Sequence, residues 1–284
     1  MTAAWRKILD RAVARLLRDG IAVGLEGVRM EEAIAEAGVS RATAYRRWPT
    51  RDDFLAEVLV ETIRRTTLVP ESREEVARLV ALVDAQADSL DDAQGRRDLV
   101  VEALRLSVDW DVRRLLASPE WRTQLSVRAI YPTMAAGRVR DAVCTALRDL
   151  EREFNDRRAT IYTELARMVG YRLAVSGDAE RGFAVLSSAA GALMSGILLR
   201  AAVDPDWLDA RHESAMFGAS TAAPWSEPEQ HLVGLLLSHL EPDPQVGDDP
   251  ERIRDLLADF DARTRRLLEP WDGEQQEAGA GGSD

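Results

Sequence analysis

The amino-acid sequence predicts an all-α protein in which a small N-terminal helical module precedes a larger helical body. Apolar residues recur along most of the chain with the 3.6-residue period of a helix. Strand-like alternation never extends beyond a few residues, and no proline interrupts the stretch between Pro132 and Pro205. With 284 residues, of which 46% are apolar and 30% charged, the chain can bury a sizeable core. This composition excludes collagen-like and wholly disordered proteins.

The first 67 residues predict four helices joined by short turns. Apolar side chains at positions 8, 9, 12, 13, 16 and 17 form one stripe of the first helix, and Gly20 is placed to end it. Ser40 is a good N-cap for the third helix, and Thr50 is placed to cap the fourth after Pro49 ends the third. The predicted helices span residues 5–19, 30–37, 41–47 and 51–67.

The larger body begins after the segment Val69-Pro70-Glu71-Ser72, which marks a domain boundary. Helices are predicted at 73–92, 96–117, 120–130, 134–174 (with a possible break near Asn155), 179–203, 228–240 and 250–268. The proline-containing stretch 204–228 predicts an irregular loop, and the glycine-rich C-terminus has little to bury. The predicted organisation is therefore a domain at 1–67, a second at 68–268, and a disordered tail at 269–284.

Charge is distributed unevenly along the chain. The net charge of −12 argues against a protein that coats nucleic acid non-specifically. Residues 1–65, however, carry 12 basic and 10 acidic residues, and residues 38–51 contain four arginines and no acid. The single cysteine, Cys144, excludes an internal disulfide framework or a multi-cysteine metal cluster. No signal peptide is visible at the N-terminus, so a cytoplasmic protein is expected.

The most informative segment is Met30–Leu59. Two short helices with a glycine-centred turn between them, followed by exposed arginines, are typical of a helix-turn-helix. In this pattern Gly38 permits the turn and Val39 fills the junction between the helices. The helix before the turn, residues 30–37, is held on the core by the apolar side chains of Met30, Ile34 and Ala37. The N-terminal residues of the next helix are then presented to a DNA major groove.

Residues 35–51 read AEAGVSRATAYRRWPTR. This run resembles the tetracycline-repressor (TetR) family, in which A-x-A-G-V-S precedes R-x-T-hydrophobic-Y-R-x-aromatic. The resemblance covers residues 6–65, because ILDRAVARLLRDG also looks like the first helix of that family. It implies a three-helix helix-turn-helix DNA-binding domain followed by a larger helical ligand-binding and dimerisation domain. Three departures are a longer loop between Gly20 and Met30, Arg29 in place of a Thr or Ser N-cap, and Ala44 in place of Leu.

The resemblance assigns DNA-binding roles position by position. Arg41 is placed to bond guanine O6 and N7, and the methyl groups of Ala42 and Thr43 are placed to touch thymine. Phosphate or base-edge contacts are implied for Tyr45, Arg46, Arg47 and Arg51. Backbone amides at the capped helix ends near Ser40 and Thr50 add anion contacts. The alternative is that these arginines only solvate a small helix.

The resemblance also implies a homodimer. Eighteen consecutive uncharged residues lie between Arg181 and Arg200, and a helix that is apolar all round belongs in an interior or an interface. We expect 179–203 and 228–240 to build a four-helix interface, the second helix through Leu232, Val233, Leu235 and Leu236. A helix buried within the chain is the main alternative. A membrane span is disfavoured by three glycines, three serines and the lack of a flanking basic cluster.

A pocket for a small-molecule effector is implied on the central helices. Aromatic and Met side chains suit an apolar ligand with a few polar handles. The candidate pocket residues are Trp110, Trp121, Tyr131, Met134, Tyr162, Met168 and Tyr171. Ordinary core packing remains the alternative for each of them.

The leading hypothesis is a ligand-responsive transcriptional regulator, a repressor that binds a palindromic operator as a homodimer. The alternative is an architectural or scaffold protein with the same DNA-binding head and no effector. An enzyme is disfavoured because the chain lacks a phosphate-binding glycine loop, H-E-x-x-H and G-x-S-x-G. The three histidines, His212, His231 and His239, lack metal-ligand spacing, and no metal or cofactor is expected.

Overall fold

The computed structural model describes residues 4–19, 28–66, 73–86, 92–174 and 179–246, together with the single residues 251, 255 and 262. Within these ranges the helices are α1 (Ala4–Asp19), α2 (Met30–Ala37), α3 (Arg41–Arg47), α4 (Arg51–Arg64), α5 (Arg73–Ala85), α6 (Ala93–Ala117), α7 (Pro119–Ile130), α8 (Arg138–Met168), α9 (Ala179–Val203), α10 (Pro205–Asp209) and α11 (Glu227–Ser238). The strands are β1 (Tyr171–Leu173), β2 (His212–Ser214), β3 (Ala223–Trp225) and β4 (Leu240–Pro242). The prediction of an all-α fold is confirmed.

The predicted helices of the N-terminal module agree with the structure to within one residue, except at the end of α4. The prediction ran to residue 67, whereas α4 ends at Arg64. There the N–H of Thr66 bonds the carbonyl of Ile63 at 3.0 Å, an i to i−3 bond that tightens the last turn and stops the helix.

The long predicted helix 134–174 is shorter at both ends. A 3-10 turn at Tyr131–Thr133 and Gly137, with φ +148°, precede the start of α8 at Arg138. At the other end Gly170 takes a left-handed φ of +70°, and the chain continues as β1, which pairs antiparallel with β4. The helix runs unbroken through Asn155. Similarly α5 ends at Ala85, not at residue 92.

The stretch 204–228, predicted as irregular, contains the short helix α10 and the antiparallel hairpin β2–β3. Trp225 on β3 is buried, and its indole N–H donates to the carbonyl of Ser214 across the hairpin at 3.1 Å. Strands of three residues are too short to show a period of two, so periodicity could not predict them. The predicted helix 250–268 and the tail 269–284 lie outside the described residues, apart from residues 251, 255 and 262, which are helical.

The chain divides into two compact units. The first comprises Met1–Leu68 and Leu115–Phe154, and the second comprises Val69–Arg114 and Asn155–Asp284. The domain at 1–67 expected from the sequence therefore differs from the first unit by residues 115–154. These residues join it because α7 packs against α1 and α4.

The core of the first unit is formed by the inner faces of α1, α2, α4 and α7. Its fully buried apolar residues include Ile8, Val13, Phe54, Val58, Leu59, Ile63 and Val127. Apolar burial of this kind contributes about 1.5–3 kcal/mol for each large side chain. This core holds α2 and α3 in place at the surface of the unit.

In the second unit α9 packs against α11, and each helix buries one apolar face. Leu232, Val233 and Leu236, predicted to face a partner chain, are buried within the chain itself. That part of the prediction is wrong, because side chains that are covered within the chain are not available to a partner. By length and composition α9 is the one helix of the described ranges that could cross a membrane. It packs one face against α11 and leaves more than half of its apolar stretch unburied.

Candidate nucleic-acid interface

The turn between α2 and α3 has the geometry that the sequence predicts. Gly38 adopts φ +61° and ψ +31°, the left-handed conformation that glycine reaches without a steric penalty. The N–H of Val39 bonds the carbonyl of Ile34 at 3.4 Å, closing the end of α2. This sharp reversal sends α3 across α2 and fixes the direction in which α3 leaves the core.

The N-terminus of α3 is capped by Ser40. Its hydroxyl oxygen accepts from the backbone N–H of Thr43 at 3.3 Å and lies 2.9 Å from the Thr43 hydroxyl. The cap satisfies one of the free amides of the first turn, and the remaining amides can bond an anion. The expected cap is therefore present, and the first turn of α3 is held rigidly.

The inner face of α3 is anchored by Ala44 and Trp48, both of which are buried. The indole N–H of Trp48 donates to Glu57 on α4 at 2.6 Å, and its ring meets Phe54 edge-on with centroids 5.1 Å apart. Ala44 stands where the resembled family has Leu, and its small side chain is fully covered. The helix backbone thus lies close to the core, and the opposite face is left outside.

That outer face carries Arg41, Ala42, Tyr45 and Arg46, all exposed. Arg41 is 76% exposed, and its Nε lies 2.9 Å from Oε2 of Glu31 on α2. Tyr45 is 47% exposed, and its hydroxyl donates to Oε1 of the same carboxylate at 2.6 Å. This hydrogen bond raises the pKa of Tyr45 above its usual value, because it stabilises the protonated phenol. The Glu31 carboxylate therefore bonds both Arg41 and Tyr45, two of the side chains for which the sequence predicts DNA contacts.

Arg47 lies in a different environment from Arg46. Its guanidinium bonds Glu57 at 2.8 Å and lies over the ring of Trp5, 4.8 Å from the centroid. These contacts hold Arg47 against the first unit, so its expected phosphate contact would have to compete with them. Arg46 and Arg51 are exposed, the latter in the first turn of α4.

The N-terminus of α4 is closed by a reciprocal capping box. The Thr50 hydroxyl accepts from the N–H of Asp53 at 3.1 Å, and the Asp53 carboxylate accepts from the Thr50 N–H at 3.2 Å. The bond from the Thr50 hydroxyl lowers the pKa of Asp53, an effect opposed by burial and aided by Arg138 at 2.7 Å. This cap fixes the start of α4 directly after α3.

Arg29 precedes α2 with an extended backbone and makes no side-chain cap. Its guanidinium is 70% exposed and lies 3.7 Å from the carboxylate of Glu32. The guanidinium of Arg29 can make the phosphate contact that a Thr or Ser hydroxyl would otherwise make at this position.

The seven candidate pocket residues are divided between the two units. Trp121, Tyr131 and Met134 belong to the first unit, and Trp110, Tyr162, Met168 and Tyr171 belong to the second. Three of them are not on helices: Tyr131 is in the 3-10 turn, Met134 follows that turn, and Tyr171 is on β1. The helical placement of these three was wrong, because α8 begins only after Gly137 and ends before Gly170.

Two of the pocket candidates are packed as core residues. Trp121 is buried and stacks on Phe154 with centroids 5.2 Å apart. Met168 is fully buried in a cluster with Leu79, Val83 and Leu99. Trp110 lies beside this cluster, partly exposed, with the guanidinium of Arg78 4.9 Å from the centroid of its ring.

A charged cluster near Trp110 was missed by the sequence analysis. Arg114 bonds Glu75 at 2.6 Å and also contacts Asp111, with Arg114 and Glu75 only 15% and 11% exposed. The pKa of Asp111 is raised, first by loss of hydration and then by Glu75, while Arg114 and Arg158 oppose the rise. The i, i+3 spacing of Asp111 and Arg114 signals only a helical pair, and no sequence pattern brings Glu75 to them.

A second polar contact in this unit joins α8 to α9. Arg158 reaches the Ser187 hydroxyl at 3.3 Å and Asn155 at 2.9 Å. A Cβ at Gly191 would lie 2.4 Å from Nη2 of Arg158, so the glycine makes room for the guanidinium. The uncharged run of α9 is thus interrupted by a buried polar contact on its inner face.

Comparison with known proteins addresses the N-terminal module directly. The model of the family described as bacterial regulatory proteins, tetR family, matches residues 17–58. No curated protein matches the chain. A solved structure described as a SmeT–triclosan complex is similar, with 18% identity, a TM-score of 0.42, and coverage of 87% of this chain and 95% of that one. That TM-score is too low to carry an argument.

The matched residues include α2, α3 and most of α4, which are the elements that present the arginine-rich face. The turn at Gly38, the cap at Ser40 and the exposed outer face of α3 together form a DNA-binding helix-turn-helix. The N-terminal module, through residues 17–58, thus matches the DNA-binding domain of the tetR family of bacterial regulatory proteins.

Proposed function

We propose that this chain is a ligand-responsive transcriptional repressor that binds a palindromic operator as a homodimer in the cytoplasm. The observation that carries the proposal is the capped helix α3, which buries Ala44 and exposes Arg41 and Tyr45. In a helix-turn-helix this is the element that enters the major groove.

Each part of the outer face has a distinct role in DNA recognition. The Nη atoms of Arg41 read a guanine, and Ala42 and Thr43 contact thymine methyl groups. The amides next to Ser40, the start of α4 at Thr50 and the side chains of Arg46, Arg47 and Arg51 bind phosphates, and Tyr45 contacts a base edge. A bidentate arginine contributes about 1–3 kcal/mol of discrimination between bases.

The DNA-binding assignment is tested by fluorescence anisotropy on a duplex selected by the wild-type chain from a random library. Replacing Arg41 and Tyr45 by alanine should weaken operator binding by at least about 100-fold, because two contacts to base edges are lost. Arg152→Ala is the matched control, because it removes an exposed arginine, on α8, that is 3.2 Å from Asp149. Equal affinity for wild type and the double variant would reject the assignment.

The dimer is supported by the exposed face of α9. This face carries small and apolar side chains at helical spacing, namely Val185, Ser188, Ala192, Gly196, Leu199 and Val203. Val203 is 86% exposed, which is unusual for a large aliphatic side chain. Small residues at the centre of the stripe allow a second copy of α9 to approach closely. A second copy also supplies the second recognition helix that a palindrome requires.

The oligomeric state is measured by light scattering. Wild type should have twice the chain mass of 31.5 kDa, and Ala192→Arg should shift it towards the monomer. Ala129→Arg is the matched control, because Ala129 is an exposed alanine on α7. A monomeric wild type, or a dimer unaffected by Ala192→Arg, would contradict the proposed interface.

The effector is proposed to be small and largely apolar, with a polar group. The support comes from the second unit, where Trp110 borders an apolar cluster and Asp111 keeps 42% of its side chain exposed. A partly exposed carboxylate beside an apolar cluster can bond a polar group of a ligand.

A thermal-shift screen of small molecules against the full chain tests this part. A true effector should stabilise the chain, release the operator, and lose affinity for Asp111→Asn. If no compound stabilises the chain while operator binding is intact, the chain is an architectural DNA-binding protein without an effector.

A further inference from the structure

We propose that Glu31 is a specificity-determining residue, which penalises sequence-independent phosphate contacts of Arg41 and Tyr45 more than base contacts. The proposal rests on the DNA-binding function proposed above. It starts from an unusual placement: a carboxylate, 45% exposed, stands on the same face as the groups assigned to DNA. Such a charge repels the phosphate backbone, so its presence there requires an explanation.

The phenol of Tyr45 has one proton to donate. That proton is donated to Oε1 of Glu31, with the two oxygens 2.6 Å apart. A phosphate oxygen is only an acceptor, so Tyr45 can bond a phosphate only by giving up its bond to Glu31. A non-specific phosphate contact at this position therefore exchanges one charge-assisted bond for another and gains little.

Arg41 is held in a different way. Its Nε lies 2.9 Å from Oε2 of Glu31, and the side chain remains 76% exposed. The two Nη groups keep their protons for the O6 and N7 acceptors of a guanine. A base contact by Arg41 is therefore compatible with the bond to Glu31, which also fixes the orientation of the guanidinium. The same carboxylate offsets the positive charge that would attract any phosphate.

The other two carboxylates of α2 have different partners. Glu36 is 3.5 Å from Arg15 on α1, and Glu32 contacts Arg15 as well as Arg29. Both therefore bind arginines outside α3, whereas the two partners of Glu31 lie on α3. Glu36 thus provides a control on the same helix with the same charge.

The experiment compares wild type, Glu31→Gln and Glu36→Gln on two duplexes, the selected operator and a scrambled duplex of equal composition. Anisotropy titrations at several salt concentrations give affinity and salt dependence for each pair. Glu31→Gln should tighten binding to the scrambled duplex about 10-fold, with its salt slope steeper by about 1, because an extra counterion-releasing contact forms. Operator affinity should change by less than about 3-fold, so the specificity ratio should fall.

Glu36→Gln should leave the specificity ratio within about twofold of wild type, because it removes the same charge away from α3. Two results would overturn the proposal. One is an equal effect of Glu31→Gln on both duplexes. The other is a loss of operator affinity with unchanged scrambled binding, which would make Glu31 only a support for Arg41. If wild type itself binds both duplexes alike, the proposed DNA-reading function fails, and the role of Glu31 fails with it.

A Tyr45→Phe background tests the phenol directly, because it removes the proton that Glu31 accepts and keeps the ring. In that background Glu31→Gln should tighten scrambled binding less than it does in wild type. NMR titration gives an independent readout, since the pKa of Tyr45 should fall towards its ordinary value in Glu31→Gln. An unchanged pKa of Tyr45, or an undiminished effect in the Phe background, would show that the two side chains are not coupled.

Discussion

Two Arg–Glu pairs, both within hydrogen-bond distance, lie in different environments in this molecule. In the first unit Arg41 and Glu31 meet at 2.9 Å, with 76% of the Arg41 side chain and 45% of the Glu31 side chain exposed. In the second unit Arg114 and Glu75 meet at 2.6 Å with little of either side chain exposed. Water screens the attraction between the charges of the exposed pair. In the buried pair each charge has lost most of its hydration, and the attraction of the partner charge offsets that loss.

This difference separates a contact that can be exchanged from one that cannot. An exposed pair is worth at most about 1 kcal/mol, so its groups remain able to contact a ligand. Removing one member of a buried pair leaves a charge without water or a counter-ion. The exposed pair is thus suited to a binding surface, and the buried pair to the interior of a helical unit.

The largest effect on stability is expected at the buried pair. Arg114→Ala should lower the free energy of unfolding by about 3 kcal/mol, because Glu75 and Asp111 both lose the guanidinium of Arg114. Urea denaturation of the full chain followed by circular dichroism gives this value. If Arg114→Ala lowers the free energy of unfolding by less than about 1 kcal/mol, the buried pair stabilises the chain no more than an exposed pair does.

An intermediate effect is expected at the capping box of α4. Thr50→Ala should destabilise the chain by about 1 kcal/mol, because a free amide at the helix start loses its acceptor. The same denaturation measurement applies, and Thr50→Ser serves as the control that keeps the hydroxyl. If serine destabilises as much as alanine, the hydroxyl is not what holds the helix start.

The capping box should also make part of the stability dependent on pH. The folded pKa of Asp53 is lowered, so its contribution is present at neutral pH and is lost as the pH falls through that lowered value. The difference in unfolding free energy between wild type and Asp53→Ala should therefore narrow between about pH 5 and about pH 3. A constant difference over this interval would mean that the carboxylate charge is not involved.

The smallest effect on stability is expected at the exposed pair. Arg41→Ala should change the free energy of unfolding by less than about 0.5 kcal/mol, since both partners return to water. The substitution should still weaken operator binding. A stability loss close to that of Arg114→Ala would remove the distinction between the two pairs.

The N-terminal module could be predicted in detail because its signals are local. Gly38, Ser40 and Thr50 act within four residues of their own positions, and the structure has the expected turn and both caps. The contact of Glu31 with Arg41 and Tyr45 could not be predicted in the same way. It depends on the crossing of α2 and α3, which periodicity does not specify.

The body was predicted less well for a related reason. Uncharged residues on α9 and α11 predict burial, but the sequence does not say whether a chain's own helix or a partner covers them. Leu232 and Val233 are covered by the chain itself, whereas Val203 is left exposed. Asp111, Arg114 and Glu75 meet because α5 packs near α6, a contact between residues almost 40 positions apart.

The packing of α7 against α1 and α4 limits how this protein can be divided in the laboratory. Leu125 and Val127 on α7 are buried within the first unit, together with Ile63 near the end of α4. A fragment cut after residue 67 would expose that apolar surface and lose its covering helix. Chimaeras that exchange the DNA-binding domains of two regulators should therefore include residues 115–154 together with the N-terminal segment.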